Sequence, residues 1–324
     1  MAKPKAFIPQ TMAKYEKVRQ ILDPVADIEY IDRQKYKEQL AAAEGIVAGG
    51  INEETLQGAP KLRVVARYGV GYDDCDVEAM TRHKVYLCNT PDVLSDAVAD
   101  LAVTLLLACN RKIVQADRYA REGWANRAPG SPALGVDLKG KTVGIIGLGR
   151  IGFETAKRCV KGFETGLIYY DIYRNKRAEE ELGAKFKTLE EVMRESDFIS
   201  IHVALTPNTK GIIGEKQLRL MKKTAYIINT SRGPVMNQPA LVKVLSEGAI
   251  AGAGLDVFAK EPVPLDDPIL KLQNVVLTPH IGSSTEEARE GMAVCDARNI
   301  AAVMKEELPP PNVVPEQRGM IFRK

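Results

Sequence analysis

The sequence predicts an α/β fold built from two doubly wound parallel sheets. Three observations carry it. Short apolar runs alternate with helix-like segments along two separate stretches, the pattern of parallel strands joined by right-handed crossovers. A glycine turn, Gly147-Leu148-Gly149-Arg150-Ile151-Gly152, stands between one such run and a helical pattern. A last helix follows the second stretch and is expected to lead the chain back to the first unit.

Taken in order, the first series offers strands at 6–9, 28–31, 45–48, 63–68 and 85–88, with helical segments such as 12–22 and 33–43 between them. Residues 96–124 read as mostly helical. The run Leu101-Ala102-Val103-Thr104-Leu105-Leu106-Leu107 is denser in apolar residues than a solvated helix needs. It is expected to bridge the domains or to pack on a second subunit. Residues 127–140, with Pro129, Gly130, Pro132, Gly135 and Gly140, read as the loop that introduces the second unit. The second series offers strands at 142–146, 167–170, 197–203, 225–229, 252–257 and 274–277. Ser284-Thr285-Glu286-Glu287 reads as a capping box that opens a final helix, which stops before Pro309-Pro310-Pro311. The expected domains are therefore 1–100, 101–285 and 286–324, the middle one an insertion whose two crossings form a hinge and a cleft.

Bulk properties exclude several classes. The 324 residues suffice for two ordinary domains. Forty-five Lys plus Arg against 42 Asp plus Glu leave +3, without a basic block, so no nucleic-acid partner is expected. The cysteines at 75, 88, 109, 159 and 295 are scattered and odd in number. They suggest small core residues in a reducing cytoplasm, neither a disulfide framework nor a metal site. The first apolar run is too short for a signal peptide. Residues 97–109 are interrupted by Asp100 and fall short of a membrane span.

The glycine turn gains meaning from its setting. Thr142 to Ile146 precede it, and Gly152, Ala156, Cys159 and Val160 recur after it at helical spacing. Asp171, nineteen residues past Gly152, closes the next apolar run. Strand, turn, helix, strand and acid form the dinucleotide-binding fingerprint. Gly147, Gly149, Arg150, Ile151 and Gly152 would let backbone and helix N-terminus approach a pyrophosphate. Asp171 would accept hydrogen bonds from ribose hydroxyls and repel a 2′-phosphate, which favours NAD(H). Arg174 is near enough to accommodate that phosphate, so NADP(H) is the less favoured alternative.

Three residues follow three strand candidates of this second series. His280 follows 274–277, Arg232 follows 225–229 and Glu261 follows 252–257. Open α/β sheets place ligands at that edge. Histidine can move a proton near neutral pH, an arginine fork suits a carboxylate, and a carboxylate beside a histidine orients its ring. Singly, each has a bland reading: a satisfied loop histidine, a capping or surface arginine, a solvated loop acid. Asp73, Asp74, Asp76 and Glu78 form an acidic cluster, for which helix capping and a solvated face are favoured over a metal.

These segments resemble the D-isomer-specific 2-hydroxyacid dehydrogenase family over nearly the whole chain. The match rests on GLGRIG at 147–152, NTSRGPV at 229–235, GLDVFAKEP at 254–262 and TPHIGSST at 278–285. The resemblance implies a Rossmann dinucleotide-binding domain inserted into a flavodoxin-like substrate-binding domain, and a homodimer with 101–107 and the segment after it as contacts. It implies that Arg232 binds the substrate carboxylate, His280 moves the proton and Glu261 is its partner. Thr230, through its carbonyl, and Asp256 would hold the nicotinamide carboxamide. The loop Tyr68-Gly69-Val70-Gly71-Tyr72-Asp73 looks like the substrate-carboxylate loop, with Val70 and Gly71 amides facing the anion; a tight turn would also explain its glycines. Ala204 departs from the family's usual proline, and His202 is expected to be structural or at the rim of the cofactor pocket.

The implied reaction is hydride transfer to a 2-oxo acid, giving the D-2-hydroxy acid. Residues 89–96, Asn89-Thr90-Pro91-Asp92-Val93-Leu94-Ser95-Asp96, are similar to the glyoxylate and hydroxypyruvate reductase branch. Gly49-Gly50 would remove side chains from the pocket wall. Two rival readings stand beside this one. A short 3-phosphoglycerate dehydrogenase would need a basic cluster that the sequence does not clearly offer. A nucleotide-sensing protein would not need the retained Arg232, Glu261 and His280.

Overall fold

The computed structural model describes residues 3–126 and 134–322. Residues 127–133, the front of the expected loop, lie outside the described residues. The chain divides into two compact units, Met1–Leu94 with Ser283–Lys324, and the continuous stretch Ser95–Gly282.

The first unit holds an all-parallel sheet of β1 (Lys5–Ile8), β2 (Asp27–Tyr30), β3 (Gly45–Val47), β4 (Val64–Ala66) and β5 (Tyr86–Cys88). Their order is β2-β1-β3-β4-β5, the flavodoxin-like arrangement. Alternate residues face opposite sides. Ala6, Ile8, Val64, Ala66, Tyr86 and Cys88 pack with Ala293, Ala297 and Ile300 of the helix Glu286–Met304. Phe7, Ile46, Val65 and Leu87 pack with Leu40, Leu56 and Met80 on the other face. A sheet covered on both sides needs apolar residues at nearly every strand position, which is why its strands read as continuous runs.

Three expectations are corrected here. The helix expected over 12–22 begins only at Glu16, because Tyr15 takes an extended conformation as its N-cap, with a separate single turn at Gln10–Met12. The strand expected over 63–68 ends at Ala66, because the Gly69 N–H turns back to the Arg67 carbonyl at 2.7 Å. The expected capping box is not the cap of the last helix. Thr285 is the N-cap and accepts from the Ala288 N–H, while Ser284 Oγ accepts from Arg289.

The second unit holds a seven-stranded parallel sheet: β6 (Thr142–Ile146), β7 (Gly166–Tyr170), β8 (Lys185–Phe186), β9 (Phe198–Ile201), β10 (Tyr226–Asn229), β11 (Gly252–Leu255) and β12 (Val275–Leu277). The order β12-β11-β10-β9-β6-β7-β8 reverses direction between β6 and β9, the switch point at which such sheets bind ligands. β8 gave no periodic signal because it has two residues, both exposed. The dense run 101–107 lies in the helix Ser95–Asn110, and its apolar side belongs to this unit's own core. Ala102, Leu105, Leu106 and Cys109 pack with Val143, Ile145 and Ile228. Gly254 allows this approach, since a Cβ there would meet Leu105 and Cys109 at 3.0 and 3.2 Å. The buried side of this run is thus accounted for by its own sheet.

Candidate active site

The glycine turn at the end of β6 is fixed by close approach. Gly147 has φ +92, and a Cβ there would sit 2.7 Å from the Val203 nitrogen. A Cβ on Gly152 would lie 2.2 Å from the Gly147 carbonyl oxygen, so glycine lets the helix Arg150–Phe163 seat on the turn. Gly149 is the N-cap, and open space lies where its side chain would be. Arg150 and Ile151 open the first helical turn, whose N–H groups lack intrahelical partners. Asp171 follows β7 and is strapped to this turn. Its Oδ2 accepts from the Leu148 N–H and its Oδ1 from the Ile172 N–H, both at 2.7 Å. Each oxygen keeps a lone pair for a hydroxyl donor.

Arg174 pairs with Glu179, which accepts from its Nε and NH2 at 3.0 Å each. His202, after β9, is hydrogen-bonded to Ser200 Oγ at 2.8 Å, and burial pushes its imidazole down to about 3, so it is neutral. Thr230 Oγ1 is buried without a hydrogen-bond partner among the described residues. An open glycine cradle, a strapped acid and an unpartnered buried hydroxyl along one sheet edge fit a dinucleotide.

The ends of β10, β11 and β12 are neighbours in the sheet. Each delivers one candidate side chain. His280 Nδ1 meets Glu261 Oε2 at 2.7 Å. Glu261 Oε1 accepts from the Phe258 N–H at 2.9 Å, so this carboxylate is held at both oxygens and is no solvated loop acid. His280 has φ +55, and its N–H bonds the Asp256 carbonyl at 2.9 Å. Half of the imidazole side chain stays exposed. Asp256 is buried and takes Thr278 Oγ1, Ile281 N–H and Gly282 N–H at 2.7–2.8 Å. It thereby shapes the loop that carries His280, with about one carboxylate lone pair left over.

Two residues that held no assigned role in the sequence reading do much of this positioning. Asn229 is fully buried; its Oδ1 accepts from the Ser231 N–H and Oγ, and its Nδ2 donates to the Arg232 carbonyl. Gln238 accepts from the Ala259 N–H and donates to Asp267. Their one signal was amide side chains next to apolar runs. Gly233 lets the Arg232 turn cross the Glu261 segment, because a Cβ there would fall 1.9 Å from the Phe258 carbonyl carbon. Arg232 itself donates from NH1 to the Ser231 carbonyl at 2.9 Å.

In the first unit, the loop after β4 carries Val70 and Gly71. Its carbonyls are engaged: Gly69 O accepts from Thr90 N–H and Val70 O from Asn89 Nδ2. No hydrogen bond leaves the Val70 or Gly71 N–H among the described residues. The acidic cluster nearby is accounted for without a metal. Asp76 caps the helix Val77–Arg82, Glu78 lies in its first turn and Asp74 pairs with Arg67. Among the described residues no group of acids, histidines and cysteines has metal-site spacing. Of the Gly49-Gly50 pair, the side-chain position of Gly49 is taken by Asp74 and Arg67 at 2.5 and 3.0 Å, while that of Gly50 has open space around it. Four of the cysteines are buried and Cys75 is half-buried, all of them free thiols.

Comparison with known proteins agrees with this geometry. The sequence pattern of the "D-isomer specific 2-hydroxyacid dehydrogenase, NAD binding domain" matches residues 103–282. A glyoxylate reductase of Thermococcus litoralis is 48% identical over 320 residues, covering 95% of this chain and 96% of its own. The crystal structure of a glyoxylate reductase from Paecilomyes thermophila superposes with a TM-score of 0.87 at 29% identity, covering 98% and 100% of the two chains. An NADPH-dependent glyoxylate/hydroxypyruvate reductase from Sinorhizobium meliloti, in complex with NADP and malonate, superposes at 0.85 and 31% identity, covering 100% and 99%. The cofactor is accordingly a nicotinamide dinucleotide. With this likeness along its length and a dinucleotide cradle on the same sheet edge as a histidine–glutamate pair, the chain belongs to the D-isomer specific 2-hydroxyacid dehydrogenases, oxidoreductases of the CH–OH group of 2-hydroxy acids.

Proposed function

We propose that the chain reduces a small 2-oxo acid of the glyoxylate and hydroxypyruvate class to the D-2-hydroxy acid, with NADH as reductant. The observation that carries this reading is the 2.7 Å contact of His280 Nδ1 with Glu261, at the ends of β12 and β11, with β11 adjacent to β10, which bears Arg232. The nicotinamide supplies the hydride when it is bound. His280 delivers a proton to the carbonyl oxygen as it becomes a hydroxyl, from the ring nitrogen that does not face Glu261. General acid help of this kind is worth on the order of 10²–10⁴ in rate. Arg232 binds the substrate carboxylate and stabilises negative charge as it develops on the oxygen. In the substrate domain, Val70 and Gly71 offer amide N–H groups to a substrate carboxylate.

Gly147, Gly149, Arg150, Ile151 and Gly152 hold the pyrophosphate, Asp171 the adenosine ribose, and Thr230 and Asp256 the carboxamide. NADH is favoured over NADPH because Asp171 would repel a 2′-phosphate and Arg174 is already committed to Glu179. Residues 1–94 and 283–324 would serve as the substrate domain, and 95–282 as the cofactor domain. A cytoplasmic homodimer belongs to the same proposal. Exposed Ile113, Val114, Trp124 and Leu134, after the helix Ser95–Asn110, are its contact candidates.

The test is loss of absorbance at 340 nm with NADH or NADPH against glyoxylate, hydroxypyruvate, pyruvate and 3-phosphohydroxypyruvate. Turnover of glyoxylate or hydroxypyruvate with NADH preferred is expected. Preference for 3-phosphohydroxypyruvate would move the chain to the phosphoglycerate branch. Binding of NADH without turnover would favour a sensing role.

A further inference from the structure

The loop after β4 carries a cation to which the proposed reaction gives no role. The Arg67 guanidinium lies between two glycine turns. A Cβ on Gly49 would meet its Nε at 3.0 Å and Cζ at 3.2 Å, and a Cβ on Gly69 would find NH1 at 3.9 Å. The group therefore stands next to the Val70–Gly71 amides proposed to take the substrate carboxylate. An uncompensated guanidinium there would attract a second negative charge on the substrate.

Arg67 is compensated. Asp74 Oδ1 accepts from its Nε at 3.1 Å, and Asp74 Oδ2 accepts from the Gly50 N–H at 3.1 Å. The carboxylate is fixed by both turns at once, and glycine at 49 leaves room for it, since a Cβ would lie 2.5 Å from Oδ2. Asp296, a second acid that acts on Arg67, is buried with neither oxygen hydrogen-bonded among the described residues. Removal from water pushes its carboxyl well above the usual carboxylate range, which weakens it as a counter-charge. The carboxylate in hydrogen-bond contact with the guanidinium is that of Asp74.

We propose that Asp74 is a specificity-determining residue, which neutralises Arg67 and so restricts the enzyme to monoanionic 2-oxo acids against those with a second carboxylate or a phosphate. The proposal rests on the reading of loop 68–73 as the substrate-carboxylate loop. It works by exclusion: the carboxylate repels the second charge and occupies the donor that would have bound it. It also gives the missing basic cluster a physical form. A cation is present and is masked.

The experiment is kcat/KM with NADH for hydroxypyruvate, oxaloacetate and 3-phosphohydroxypyruvate, in the wild type, Asp74→Asn, Asp74→Asn with Arg67→Gln, and Gly49→Ala. Asparagine keeps an acceptor for the Gly50 N–H and loses the charge. The dianion-to-monoanion ratio of kcat/KM should rise about tenfold in Asp74→Asn, the scale of one partly screened charge contact. It should fall back when Arg67→Gln is added. Gly49→Ala crowds both partners, Asp74 Oδ2 at 2.5 Å more than Arg67 Nε at 3.0 Å, so it should break the pair and raise the ratio in the same direction, and the answer does not hang on one variant folding. An unchanged ratio in Asp74→Asn that still binds NADH, or a rise that survives loss of Arg67, overturns the proposal while leaving hydroxypyruvate reduction standing. If the wild type binds NADH and reduces none of the three acids, the substrate reading itself is wrong and the proposal falls with it.

Discussion

Glu261 shows how a side chain with no signal of its own acquires a task. One oxygen is held by the Phe258 N–H, and the other faces His280 Nδ1 at 2.7 Å. The first bond fixes the carboxylate and the second fixes the ring, leaving the opposite ring nitrogen for the proton transfer proposed above. Glu261→Gln should therefore loosen the ring and lower kcat for oxo-acid reduction by roughly 10- to 100-fold, within the range of general acid help, with NADH titration nearly unchanged. An unchanged kcat would remove Glu261 from the proton path. Arg232→Gln tests the other side of the site. It should lower oxo-acid turnover by at least about 100-fold, the cost of losing a charged donor at a developing oxyanion. NADH titration should be nearly unchanged, and unchanged turnover would exclude Arg232 from the chemistry.

At the scale of elements, the site is a set of strand ends locked to one another. Gly233 crosses Phe258, Asn229 ties the Arg232 turn, and Asp256 gathers the loop of His280. The motifs around Arg232, Glu261 and His280 were legible because strands and their following loops are local patterns. Asn229 and Gln238 were not, because an amide becomes a brace only through partners distant in sequence. The masking of Arg67 was equally hidden: Asp74 lies in the same loop after β4, but the Gly50 N–H that helps to hold it comes from beyond the end of β3. His202 gives this scale a pH test. Burial lowers its imidazole from 6.5 to about 3. The unfolded chain therefore takes up the proton first. The stabilisation is fully present above pH 6.5 and is lost as pH falls toward 3. Thermal midpoints should drop across that window more steeply in the wild type than in His202→Gln. Parallel curves would show that His202 is not buried as a neutral ring.

For the whole molecule, two parallel sheets follow from apolar runs that alternate with helices, and both sheets are present. The edge of β5 was not foreseen. Val314 N–H bonds the Leu87 carbonyl, and buried Gln317 accepts from the Leu87 N–H and donates to the Val85 carbonyl. A segment far along the chain thus satisfies an edge strand, a long-range pairing that no local pattern encodes. The run 101–107 was legible only as buried, for a related reason: apolar density reveals burial but not that the sheet of its own unit covers this side. The family and the proposed reduction bear on one product. The most direct measurement is the configuration of the glycerate formed from hydroxypyruvate and NADH. D-glycerate is the predicted product; L-glycerate, or no glycerate from protein that binds NADH, would contradict the account.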